Sequence, residues 1–289
     1  MARLQSIRSR IPAVIIVTGL VASLPASGQV DLAGDWGVVP GEREGSPELG
    51  DYLGLPINEA ARVAADTWES SRLSELERQC MPHVSPSMSR APVPMRVTME
   101  RDSETHQVVA VKFFFKFMEQ TQTVWMDGRP HPSDVALHTW MGFSTGEWQG
   151  DTLVVTTTHI KRGYLRRDGL PLSDQATMVE HWMRHGNLLS HTTWIQDPVY
   201  LTESLMRGDT YIQDPEMQGD WLYPCEESID EVAQFKRGNV PHLPIGQNPF
   251  LSEFSDRHKI PYEATRGGAE TMYPDYREKL RAMPPPAAK

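Results

Sequence analysis

The residues best able to do chemistry in this chain are a few histidines and one glutamate in segments with strand-like alternation. His159 ends the run 152–159, in which Leu153, Val155, Thr157 and His159 share one face by the two-residue period of a strand. If the aliphatic pair faces inward, His159 does too, and an imidazole there can take or give a proton. A second pair flanks the turn His185-Gly186-Asn187. With a three-residue loop, Arg184 opposes Leu188 and His181 opposes His191. Their Cβ atoms would then lie about 4.5–5.5 Å apart, close enough to share a metal ion or a proton. A two-residue loop removes that pairing, because a one-residue slip changes every partner. Glu180 points away from His181. Either Met178, Glu180 and Trp182 face the interior, or Val179, His181 and Met183 do. His159, Glu180 and His181 are therefore the candidate catalytic residues.

Candidate ligand contacts surround them. Lys161-Arg-Gly-Tyr164-Leu-Arg166-Arg167-Asp168 is a basic loop in an acidic chain. It could hold a ligand carboxylate or phosphate, or pair with acids of the C-terminal segment. Tyr164, Arg167, Trp182, His191 and His138 are the expected ligand-binding residues, with His131 in the same loop as His138. Glu147 to Thr152 reads as a turn between strands, with Gly150 suited to positive φ. His181 and His185 are four apart, a metal spacing on a helix. Their segment reads as a strand, so neither a metal nor a cofactor is assigned. No G-x-S-x-G elbow, P-loop, dinucleotide fingerprint or H-E-x-x-H is assigned, so neither nucleotide-dependent chemistry nor the common serine-hydrolase plan is expected.

Positioning these residues requires a sheet. Residues 31–39, 95–100, 106–117, 119–126, 140–148, 152–159, 175–184, 188–196 and 200–212 alternate or are rich in β-branched and aromatic side chains. Turn signals such as Asp127-Gly128 and Gly150-Asp151 separate several of them. Few helices intervene, so the expected fold is mainly β: an antiparallel barrel of about nine strands. A short helical insert is expected at Glu59–Trp68, capped by Asn58, with a second piece at Ser71–Cys80. Prolines at 82, 86, 92 and 94 make 81–94 irregular. Residues 214–289 are proline-rich and read as a tail wrapping the barrel, with helices near Phe250–Arg257 and Pro274–Met283.

The chain has 289 residues, a net charge of −10 and two cysteines. The acidic balance argues against nucleic acid as a partner. Residues 1–28 read as a signal peptide: Arg3, Arg8 and Arg10, then the apolar run Ile11–Leu24, then Ala26 and Gly28 at a small-residue cleavage site. The run is short against the roughly 20 residues of a spanning helix, so no membrane span is expected after processing. That gives 29–213 as the barrel domain and a periplasmic or secreted location. In an oxidising compartment Cys80 and Cys225 could pair, or remain two separate thiols.

Gly34-Asp35-Trp36 on the first strand resembles the G-x-W signature of lipocalins and their calycin relatives, in which the Trp packs across the barrel floor. A closer resemblance covers nearly all of 29–289 and is to a group of exported bacterial proteins of uncharacterised function. Its carriers are Met126-Asp-Gly-Arg-Pro-His131-Pro, Trp140-Met-Gly, Gly146-Glu-Trp-Gln-Gly-Asp-Thr-Leu-Val-Val155, Asp197-Pro-Val-Tyr-Leu-Thr202 and Gly267-Gly-Ala-Glu-Thr-Met-Tyr-Pro274. The resemblance implies a lipocalin-like barrel and export, and no particular activity. Phe143 departs from it, standing where many relatives have a His. Two functions follow as expectations. One is a barrel that binds a small apolar or amphipathic molecule. The other is a cofactor-free or metal-assisted lyase, isomerase or hydrolase acting in the barrel cavity. Oligomeric state is left open.

Overall fold

The computed structural model describes residues 30–39, 48–68, 80–88, 94–214 and 242–284. The signal-peptide reading, the helix expected from Ser71 and Cys225 lie outside these residues. Among the described residues eleven strands are formed: β1 (Gly34–Val38), β2 (Met95–Arg101), β3 (Val108–Phe115), β4 (Gln120–Trp125), β5 (Phe143–Gln149), β6 (Thr152–Thr158), β7 (Gly163–Tyr164), β8 (Pro171–Leu172), β9 (Thr177–His185), β10 (Leu188–Gln196) and β11 (Leu205–Gln213). Nine of them close into a barrel in the order β1-β11-β10-β9-β6-β5-β4-β3-β2, while β7 and β8 form a separate hairpin. All nine correspond to segments expected from alternation.

The pairing is antiparallel except between β4 and β5, which run parallel through Val124–Ser144 and Trp125–Thr145. A purely antiparallel barrel is thus corrected at one pair. A closed ring with an odd number of strands cannot alternate direction all the way round, so one parallel neighbour is unavoidable. Parallel neighbours need a crossover of a dozen or more residues, and 126–142 supplies it. Gly146 fits the close approach there: a Cβ would lie 2.7 Å from the Met126 and Val124 side chains.

The hairpin β9–β10 overturns the three-residue loop. His185 pairs with Leu188, leaving Gly186 and Asn187 as a two-residue turn. Gly186 has φ +64, the conformation that a Gly at the first central position of such a turn supplies. The one-residue slip puts His191 opposite Trp182, and His181 opposite Thr192.

Helices attach at the barrel's periphery. α1 (Glu59–Asp66) starts at Asn58, whose side chain accepts from the Ala61 amide at 3.0 Å. α2 (Ser85–Met88) is one turn, where proline density suggested irregular chain. Its flank is pinned to the barrel: Gln120 takes the His83 amide at 2.8 Å and donates to the His83 carbonyl at 2.7 Å. Met88 joins the barrel core. In the C-terminal segment, residues 242–284 carry α3 (Glu253–His258), α4 (Tyr262–Thr265) and α5 (Tyr276–Ala282); α3 and α5 fall where helices are expected, and α4 is an additional short one. The segment meets residues 48–68: Arg266 pairs with Asp66, Asn248 donates to the Asp66 and Trp68 carbonyls at 2.9 Å, and Thr271 accepts from the Gly54 amide at 2.7 Å. Burial and the Asp66 charge hold the Tyr52 hydroxyl well above its ordinary pKa. Cys80 is disulfide-bonded, and the chain's other cysteine is Cys225.

Two apolar clusters result. One lies within the barrel, with Trp36, Met95, Phe113, Leu153, Trp182 and Tyr211 among others. The second lies under the β7–β8 hairpin and α1, with Ile57, Ala61, Leu165, Leu170 and Ile195. Trp36 is fully buried, its indole N–H donating to the Leu32 carbonyl at 3.0 Å.

Candidate functional site

The barrel interior is chemically divided. On β1, β2 and β3 the buried side chains Trp36, Met95, Val97, Phe113 and Phe115 are apolar. On β4, β5, β6, β9 and β10, which neighbour one another around the ring, the same barrel buries Gln122, Ser144, Thr157, Glu180, His191 and Thr193. Alternation explains which side chains these are. Met178, Glu180 and Trp182 share the inward face of β9, and Leu189, His191, Thr193 and Ile195 that of β10. Of the two faces left open for β9, the one carrying Glu180 is inside.

These polar groups form a connected row. Glu180 Oε1 accepts from His191 Nε2 at 3.0 Å, and Gln122 Nε2 donates to Glu180 Oε2 at 2.8 Å. The same amide reaches Ser144 Oγ at 3.2 Å and Thr157 Oγ1 at 3.4 Å, and those two hydroxyls are 2.8 Å apart. Thr193 Oγ1 lies 3.0 Å from His191 Nε2. Glu180 is 0% exposed and His191 1%. A buried carboxyl is tolerated only with partners on both oxygens, and here each has one. Trp182 lies between two rings: Phe113 stacks at 4.5 Å between centroids, and His191 at 3.7 Å with planes 13° apart. Two atoms in this stack, Trp182 Nε1 and His191 Nδ1, are buried without a hydrogen bond.

The other sequence candidates fall elsewhere. Leu153, Val155 and Thr157 do face inward, but β6 ends at Thr158 and His159 has φ +55. That backbone reversal takes its ring off the interior face. His159 Nε2 donates to the Ser133 carbonyl at 2.9 Å, and its Nδ1 lies 2.7 Å from Thr158 Oγ1. His181 packs edge-on against Trp194, with ring centroids 4.6 Å apart, on the opposite face of β9 from Glu180. His138 meets the Ile160 carbonyl at 3.0 Å, and its ring is 5.1 Å from that of His159. His131 bridges Thr158 and Thr145, both at 2.8 Å. Burial and the nearby His159 lower its pKa. The structure thus brings Glu180, Trp182 and His191 together and leaves His159, His181 and His138 outside that group.

The basic loop is structural in its contacts. Arg166 pairs with Asp168 in the same loop and donates to the Asp51 carbonyl at 2.5 Å. Arg162 donates to the Tyr200 hydroxyl at 3.1 Å. Tyr164 packs edge-on against Trp68 at 4.7 Å, and burial raises its pKa. Arg167 is exposed. An open groove of about 400 Å³ lies along Gln175, Thr177, Gln196, Asp197, Leu201 and Glu203. Its Asp197 carboxylate is committed to the Ser173 amide and hydroxyl and the Val199 amide. Among the described residues, no group of three or more His, Cys, Asp or Glu side chains is placed to hold a metal ion.

Three members of the row, Gln122, Ser144 and Thr193, escape sequence reading, which places Thr157 on the inward face without giving it a role. Ser144 had a signal, since Gly142-Phe143-Ser144-Thr145-Gly146 has the G-x-S-x-G spacing. A nucleophile elbow needs a sharp strand-to-helix turn, whereas Ser144 lies within β5. The order of contacts also differs from a hydrolase triad. There the His stands between Ser and acid; here Glu180 stands between His191 and the Gln122–Ser144 end. No protein-family model, curated protein or solved structure matches this chain.

Proposed function

We propose that the protein is an exported, lipocalin-like barrel that binds a small amphipathic molecule inside. The carrying observation is the division of the interior into an apolar arc and a polar row ending in the Phe113–Trp182–His191 stack. An amphipathic molecule matches that division, with its polar group at the row and its body on the aromatic arc. The lipocalin-like reading rests on the closed barrel and the buried Trp36. Membership of the exported bacterial group rests on the segments quoted above. Export is supported by the basic and apolar pattern of 1–28 and by the disulfide at Cys80. Titrating tryptophan emission with decanol tests the binding reading. A saturable change that Trp182→Phe abolishes supports it. No change at millimolar decanol removes it.

A second reading has its own observation. Glu180 and His191 form a buried acid–imidazole pair at 3.0 Å, the unit that general acid–base catalysis uses. A lyase or isomerase moving one proton at His191 fits that pair better than a serine hydrolase does, given where Ser144 stands in the row. Both readings use the same side chains. They separate on Glu180→Gln, which should retain binding and abolish turnover.

A further inference from the structure

His191 uses its two ring nitrogens unequally. A carboxylate only accepts hydrogen bonds, so the 3.0 Å contact of Glu180 Oε1 with His191 Nε2 is one in which that nitrogen is the donor. A neutral imidazole held in this way carries a lone pair on Nδ1. That nitrogen is buried and has no hydrogen-bond partner. Against this ring lies Trp182, whose Nε1–H is donor only, also buried and also without a partner. Other buried atoms lack hydrogen bonds, among them Trp148 Nε1 and His181 Nδ1. The interior pair differs because an acceptor and a donor sit on two rings in face-to-face contact. Burying either alone without a partner is costly, about 1–3 kcal/mol.

Resting on the binding reading above, we propose that the interior site recognises a hydroxyl group of its ligand, an alcohol or phenol. A hydroxyl oxygen can accept from Trp182 Nε1 while its proton is donated to His191 Nδ1. An ether or ketone can do only the first. A carboxylate can accept from Trp182 but would set its charge near the Glu180 carboxylate and face the Nδ1 lone pair. An ammonium can donate to Nδ1 but leaves the indole N–H unmet. The aromatic neighbours Phe113 and Trp182 favour a flat apolar body beside that hydroxyl.

The test is calorimetric titration of the full chain with phenol, anisole and toluene, which match in size and differ in hydrogen bonding. Phenol should bind at least tenfold more tightly than anisole, and anisole more tightly than toluene. His191→Phe should reduce phenol to the affinity of anisole, and Trp182→Phe should reduce anisole to that of toluene. Should either variant fail to fold, the wild-type ranking alone decides. Equal affinities for all three would overturn the hydroxyl assignment, and a decanol response would then leave the binding reading standing. Failure of all three probes and of decanol would overturn both.

Discussion

His191 inside the barrel, and His131 and His138 of the 126–142 crossover together with His159 that meets it, show how similar residues serve different ends. Outside, both ring nitrogens of His131 and of His159 meet threonine hydroxyls or a carbonyl, and His138 meets another carbonyl. Those contacts tie the crossover to β5 and β6. Inside, His191 spends one nitrogen on Glu180 and keeps the other unbonded in a buried stack with Trp182. A histidine with both nitrogens engaged is a fastener. One held by a carboxylate with its second nitrogen unbonded is ready to meet a ligand or a proton.

The contrast can be broken first at the inner group. Glu180→Ala should destabilise the protein by about 3–5 kcal/mol, the usual cost of removing one partner of a buried pair, read by denaturant titration. Glu180→Gln keeps the shape and should cost about 1–3 kcal/mol. A loss below about 1 kcal/mol for the alanine variant would show that the row is not tightly coupled. Next comes His131→Ala on the crossover, which removes two part-buried hydrogen bonds and should cost about 1–3 kcal/mol. Phenol affinity should be unchanged in that variant; a tenfold loss would erase the distinction between the groups.

The smallest expected effect is on pH dependence. His131 has a folded pKa below its ordinary value because of burial and His159. The unfolded chain therefore binds more protons between that value and about 6.5. The stabilisation is fully present above about pH 6.5 and is lost as pH falls through the folded pKa. Denaturant titrations at successive pH values should show a shallower acid-side loss in His131→Ala than in the wild type. Identical slopes would mean His131 titrates normally.

Much of this architecture was legible. Alternation and turn signals located all nine barrel strands, and proline at 274 foreshadowed α5. What failed were single-residue matters. Whether His185 belongs to the turn or the strand decides the β9–β10 register, and composition does not distinguish a two-residue loop from a three-residue one. The inward face of β6 was read correctly to Thr157 and then lost, because nothing in His159 announces a positive φ. The run Gln120-Thr-Gln-Thr is polar on both faces, so alternation could not mark Gln122 as buried. The parallel pair was implicit in an odd strand count together with closure.

The most direct measurement follows the Trp182 indole N–H by two-dimensional nitrogen–proton NMR, with its resonance assigned by loss in Trp182→Phe. Phenol should shift that signal saturably while leaving the Trp36 indole, already bonded to the Leu32 carbonyl, in place. If the Trp182 signal stays fixed while phenol binds, or the outer tryptophans move instead, the ligand site is not in the barrel interior.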